Sequence, residues 1–166
     1  TSPRGCGLGE HGLVGPGAQL YNESIHVPLM ICPPGGSQPL RSNRSGQLAN
    51  VDLISQLAGD WLFQTQDEFQ TRLQQKLMPE KLTEYVLISS NEQDSLQTHA
   101  WKLIRSKMGG IQLYVKPDDR NEVNDVSDRC PDIVRKMLGL MDFCLERDAD
   151  PKIPIKLSDE LGLGIN

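Results

Sequence analysis

Two stretches of this chain hold side chains able to do chemistry. The first is GLGEHGLVGPGAQLYNESIHVPLMICPPG, residues 7–35, which has the pattern of an active-site loop running into a buried strand. Its glycines supply positive φ angles and close backbone approach. His11 stands between Glu10 and Gly12, where a histidine serves either as a hydrogen-bonding anchor or as a proton-handling group beside a pocket. Glu10 reads as a loop carboxylate. The second stretch holds Asp118, Asp119 and Asp125, a set that invites a calcium reading. Their spacing does not fit the twelve-residue calcium loop of helix–loop–helix proteins, so a structural role is expected.

The cysteines argue against metal. Cys6, Cys32, Cys130 and Cys144 are far apart and form no CxxC pair, whereas structural zinc sites use closely spaced ligand pairs. Two disulfides or four unrelated thiols both satisfy the count, and the thiols are the favoured reading. Asn22-Glu-Ser24 and Asn43-Arg-Ser45 match the glycosylation sequon, a three-residue pattern common by chance.

Bulk properties narrow the partners. The 166 residues carry a net charge of −5 and scattered basic side chains, which argues against nucleic acid or an anionic membrane surface. No apolar run approaches the ~20 residues that span a bilayer. With 37% hydrophobic and 5% aromatic residues, a core is expected, though not a rich one. The loop-like start at Thr1 is the expected beginning of a segment taken from inside a longer protein.

The elements that must position these residues follow from periodicity. Residues 26–32, HVPLMIC, form a short apolar run ended by Pro33-Pro34-Gly35-Gly36, the pattern of a buried strand. Residues 36–47 are loop. Val51, Ile54, Leu57 and Ala58 recur at helical spacing after Asn50, a suitable cap. Phe69, Leu73 and Leu77 predict a second helix over 67–77. Beyond Pro79 come three short strands, 84–90, 100–106 and 111–116. Met108-Gly109-Gly110 is a tight antiparallel connection between the last two. Pro131 opens a helix whose apolar stripe is Val134, Met137, Leu138, Met141 and Leu145. The order predicts an α+β arrangement, with a tail from Asp148 that is extended or disordered.

With these runs in view, the chain resembles the sulfatases of the alkaline phosphatase superfamily, most closely their iduronate- and choline-sulfatase branches. Those proteins carry Ser-Asp-His-Gly or Ser-Asp-Asn-Gly, then Gly-Glu-His-Gly, Gly-Lys and Val-Pro-Leu-Ile. TSPRGCGLGEHGLVGPGAQLYNESIHVPLMI is similar in order and spacing, and ANVDLISQLAGD is similar to the helix that follows. LQTHAWKLIRSKMGGIQLYVKPDDRNEVNDVS resembles the family's closing signature of Tyr-Lys-Leu-Ile, a glycine turn, Glu-Leu-Tyr-Asp-Leu, then Asp-Pro, Glu and Asn-Leu. The likeness covers residues 1–147. It implies a C-terminal segment of an α/β sulfatase: the end of the main sheet over 1–66, and a small subdomain over 67–147 with a short antiparallel sheet packed on a helix. Residues 148–166 would be tail.

The resemblance also implies chemistry. The family cleaves sulfate esters with formylglycine, made from Cys or Ser in a Cys/Ser-x-Pro-x-Arg motif, and with calcium. That motif is absent here. Cys32-Pro33-Pro34-Gly35-Gly36 offers Cys-x-Pro but lacks the arginine. The family's metal-binding Asp falls at Pro3, its neighbour at Arg4, and its sulfate-binding Lys at Pro16. Three essential positions are therefore emptied, and no metal, cofactor or catalytic residue is expected in this chain. The anion-binding candidates are Arg4, whose guanidinium suits sulfate or carboxylate, His11, His99 and Lys102. The ordinary reading of Lys102 is a strand lysine with its tip in water. His26 is expected to anchor the strand that follows it. The partners implied are the rest of the parent sulfatase-like chain and a sulfated small molecule or saccharide. Family habit favours an exported, periplasmic or extracellular protein. The alternative is a non-enzymatic anion-binding or interaction domain on the same scaffold.

Overall fold

The computed structural model describes residues 1–31, 48–49, 52–63, 65, 68–69, 71, 73, 84–146 and 161. They fall into two compact units, Met30–Glu84 and the remainder, Thr1–Leu29 with Tyr85–Asn166. Helices and antiparallel sheets make the chain α+β.

The larger unit begins with an antiparallel pair, β1 (Gly7–Leu8) and β2 (Val14–Gly15), joined through a 3-10 turn over Glu10–Gly12. A single helical turn, α1 (Asn22–Ile25), follows. Residues 26–31 are irregular, and Leu29 and Met30 are exposed. This corrects the strand expected over 26–32, whose Cys32 lies outside the described residues. The physical reason is that an apolar run becomes a strand only with a partner strand, and among the described residues it has none.

In the smaller unit, α2 (Asp52–Phe63) matches the expected helix, while Asn50, the proposed cap, lies outside the described residues. Leu57 is buried with Phe69 and Leu73, and Ile31 and Leu53 pack against them. Ala58, expected on the apolar stripe, is exposed. Glu68, Phe69, Thr71 and Leu73 are helical, as predicted, and the rest of that helix lies outside the described residues.

A four-stranded antiparallel sheet dominates the larger unit, in the order β3 (Tyr85–Ser89), β4 (Gln93–Thr98), β5 (Trp101–Ser106), β6 (Ile111–Val115). The three expected strands are there, and the Met108–Gly110 turn joins β5 to β6. Its two glycines have φ of 96° and 105°, which side chains rarely adopt. The strand not foreseen is β4, whose sequence QDSLQT is polar. It lies inside the sheet because its polar groups are satisfied there. Asp94 accepts from Ser89 Oγ and from Arg105 Nη2, its neighbours on either side.

Alternation gives the sheet two different faces. Leu96, Leu103 and Leu113, all 0% exposed, point to one side, where Met137 and Met141 of α3 (Pro131–Glu146) meet them. Burial of each such side chain stabilises the fold by about 1.5–3 kcal/mol. Cys144 completes the buried face of α3, whereas Leu145, predicted for the stripe, is 36% exposed. Arg105 also bonds Asp142 of α3 across the sheet. Leu161 is buried in the same core, which corrects at that position the extended tail expected after Asp148. Lys102, Ile104, Gln112 and Tyr114 point to the opposite face, and the N-terminal segment lies against it.

Candidate functional site

The first 29 residues cross this second face as a strap, and polar contacts from its middle reach β4, β5 and β6. The Leu20 N–H donates to Gln93 Oε1 at 3.0 Å, on β4. Tyr21 Oη donates to Gln112 Oε1 at 3.0 Å, on β6. Lys102 Nζ, on β5, donates to Asn22 Oδ1 at 3.1 Å. Tyr21 is 8% exposed and packs with Ile104 and Tyr114, its ring meeting that of Tyr114 edge-on at 6.5 Å. Gly5 must be glycine because a Cβ there would come within 1.8 Å of the Glu23 carbonyl oxygen.

Beneath the strap lies a cluster of charges organised by Glu122. Its Oε1 accepts from Lys102 Nζ and from Lys116 Nζ, each at 2.8 Å, and Oε2 accepts from the Asn22 N–H at 2.9 Å. The side chains of Lys102 and Glu122 are both 0% exposed and that of Lys116 5%. Lys116 also donates to the Asp119 carbonyl at 2.8 Å. Glu122 has a φ of 57°, a left-handed conformation uncommon for a residue with a side chain. The contacts of its carboxylate and carbonyl hold it there. Burial, opposed by Glu122, lowers the Lys102 ammonium to about 8. It is still protonated at neutral pH, so the buried pair is ionic.

His11 sits at the rim of this cluster, its side chain 17% exposed. Its Nδ1 lies 2.7 Å from Glu23 Oε1 and its Nε2 lies 2.8 Å from the Glu122 carbonyl. The ring stacks on Tyr21 at 3.8 Å, with the planes 1° apart. Burial disfavours the charged imidazole, but the Glu122 carbonyl and the Glu23 carboxylate together outweigh it and raise the His11 pKa.

The other candidates lie elsewhere. Arg4 is exposed and its Nη2 donates to the Gly17 carbonyl at 2.6 Å. His99 is in the turn between β4 and β5, not on a strand. His26 is exposed and ends α1, its N–H donating to the Asn22 carbonyl at 2.8 Å. Glu10 does act as a loop carboxylate, accepting from the Leu8 N–H. Lys102 differs most from expectation: its tip is in the interior. Sequence reasoning missed Glu122, Glu23 and Lys116. The one signal for Glu122 is its place in the run that resembles the sulfatase closing signature.

The acidic loop is occupied by its own backbone. Asp119 accepts from the N–H groups of Val123 and Asn124, and Asp125 from those of Leu113 and Ser127. Cys6, Cys130 and Cys144 are free thiols, and Cys32 lies outside the described residues. Among the described residues, no three His, Cys, Asp or Glu side chains come together as a metal ion would need. The residues at the implied calcium positions do not fit that ion. Pro3 has no side-chain donor, and Arg4 is itself a cation turned onto a carbonyl. Comparison with protein-family models and with curated proteins found no match for the chain.

Proposed function

We propose that the chain is the C-terminal segment of a sulfatase-family protein, with its metal and lysine positions substituted, and that it supplies scaffold and not catalysis. One observation carries the reading. The runs that resemble the two sulfatase signatures meet in one unit, His11 of the first bonding the carbonyl of Glu122, 111 positions later, in the second.

The scaffold role rests on how the candidate residues are spent. Lys102 is enclosed by Glu122 and Asn22, and both ring nitrogens of His11 are engaged. Neither can meet a sulfate ester without dismantling the cluster. The natural partner is then the rest of the parent chain. Incubation of the purified chain with an aryl sulfate and calcium is expected to give no turnover, and measurable hydrolysis would overturn the reading.

Arg4 favours a second reading, an anion-binding domain for sulfated small molecules or saccharides. Its guanidinium is exposed and makes one hydrogen bond among the described residues, leaving donors for an oxyanion. Calorimetric titration separates the two. Saturable binding of sulfate, abolished by Arg4→Ala, would establish the anion site; no heat leaves the scaffold reading in place.

A further inference from the structure

The two partners of the His11 ring share a property that fixes its charge. A carboxylate and a backbone carbonyl accept hydrogen bonds and donate none. A neutral imidazole carries one N–H and can satisfy only one of them. With Nδ1 at 2.7 Å from Glu23 and Nε2 at 2.8 Å from the Glu122 carbonyl, the second contact in a neutral ring would set lone pair against lone pair. The geometry therefore calls for the imidazolium.

We propose that residues 1–29 form a proton-latched strap, docked on the sheet while His11 is protonated and released from it as that proton is lost. Latching needs residues from both ends of the chain. His11 and Glu23 both lie on the strap and Glu122 on the loop after β6, so only the Nε2 contact crosses to the body of the unit, and only the imidazolium can hold it together with the Nδ1 contact. Tyr21, stacked on the ring, is the residue that fills the apolar patch of Ile104 and Tyr114. Stacking favours the cationic ring further.

The carboxylates around the ring act in one direction. Glu23 and Glu122 both favour protonation, and the neighbouring Glu10 carboxylate is in turn favoured by a His11 cation. Lys102 and Lys116 oppose it, but both are bonded to the Glu122 carboxylate. A histidine whose pKa is higher folded than unfolded contributes its full stability below the unfolded value. That contribution is lost as pH rises through the folded one. Release therefore comes on the alkaline side.

Hydrogen exchange of the full chain, read by nuclear magnetic resonance and corrected for intrinsic rates, tests the latch. The Leu20 and Asn22 amides bond Gln93 and Glu122 across the strap–sheet boundary, while Leu103 in β5 reports the sheet alone. The opening constant of the two strap amides is expected to rise roughly tenfold as His11 titrates, the loss of one hydrogen bond to a charged group, with Leu103 unchanged.

Glu23→Gln is the decisive variant. Its amide can donate to a neutral Nδ1 while Nε2 still donates to the Glu122 carbonyl, so the strap should stay docked on either side of the His11 titration. Lys102, which titrates near 8, is intact in both proteins and cancels in the comparison. His11→Gln removes this titration, so its strap opening should keep only the change that Lys102 contributes and fall well short of the native response. An unchanged pH response in either variant, or no response in the native chain, would overturn the latch.

Discussion

Glu122→Ala strikes the buried cluster at its centre. It removes the acceptor of two ammonium groups and of the Asn22 N–H in one step. Stripping one partner from a buried ion pair costs about 3–5 kcal/mol. Lys102 limits that cost, because burial already lowers its ammonium to about 8, and without Glu122 the amine can shed its proton instead of staying charged and unpaired. The lower end, about 3 kcal/mol, is therefore expected. With a urea slope of about 2 kcal/mol/M the unfolding midpoint falls by about 1.5 M. Glu122→Gly loses the same contacts but relieves the left-handed backbone at φ 57°, worth about 1 kcal/mol. Glycine should therefore unfold later than alanine, the reverse of its usual rank. Urea titration followed by circular dichroism reads both. A midpoint shift under about 0.5 M for alanine would refute the cluster's role, and glycine below alanine would refute the strain.

Two further outcomes follow from the same geometry. Met141→Ala, at a side chain that is 0% exposed among Leu96, Leu103 and Leu113, should cost about 3 kcal/mol and lower Tm by about 10 °C in calorimetry. Leu145→Ala on the same helix, partly in water, should cost under about 1 kcal/mol. Lys102 sets an alkaline trend. Its folded pKa lies below the ordinary 10.5 at about 8, so between those values the unfolded chain binds the extra proton and stability rises with pH. Complete removal of the penalty amounts to about 3 kcal/mol. Paired urea titrations from pH 8 to 10.5 should show the native chain gaining stability relative to Lys102→Met, since Cys144, Tyr85 and Tyr114, whose raised pKa values act in the opposite direction, are common to both.

Local signals carried the parts of the fold that local physics decides. The α3 helix was legible because Val134, Met137, Leu138 and Met141 repeat with the helical period behind Pro131. The β5–β6 hairpin was legible because Gly109 and Gly110 permit its turn. The β4 strand was hidden, since its only apolar residue is Leu96 and the burial of Asp94, Ser95 and Thr98 depends on partners in other strands. Residues 26–31 failed the opposite way: the run has strand composition, but pairing is a property of two segments. The candidate site was half legible. His11 stood out between its glycines, while Glu122 looked like one carboxylate among several. Its importance comes from Asn22 and Lys102, which reach it only in the folded chain.

Asn22 carries a consequence for the order of events in synthesis. It begins a sequon, yet its Nδ2 donates to the Arg120 carbonyl at 3.0 Å and its Oδ1 receives Lys102. A glycan would replace one of the two Nδ2 hydrogens, so the sugar competes with the Arg120 carbonyl for this nitrogen. Both contacts wait for residues translated 80 or more positions later. In any compartment with the transferase, a growing chain would leave this asparagine open until its second half emerged. The sugar would therefore reach this side chain before Lys102 and Arg120 could.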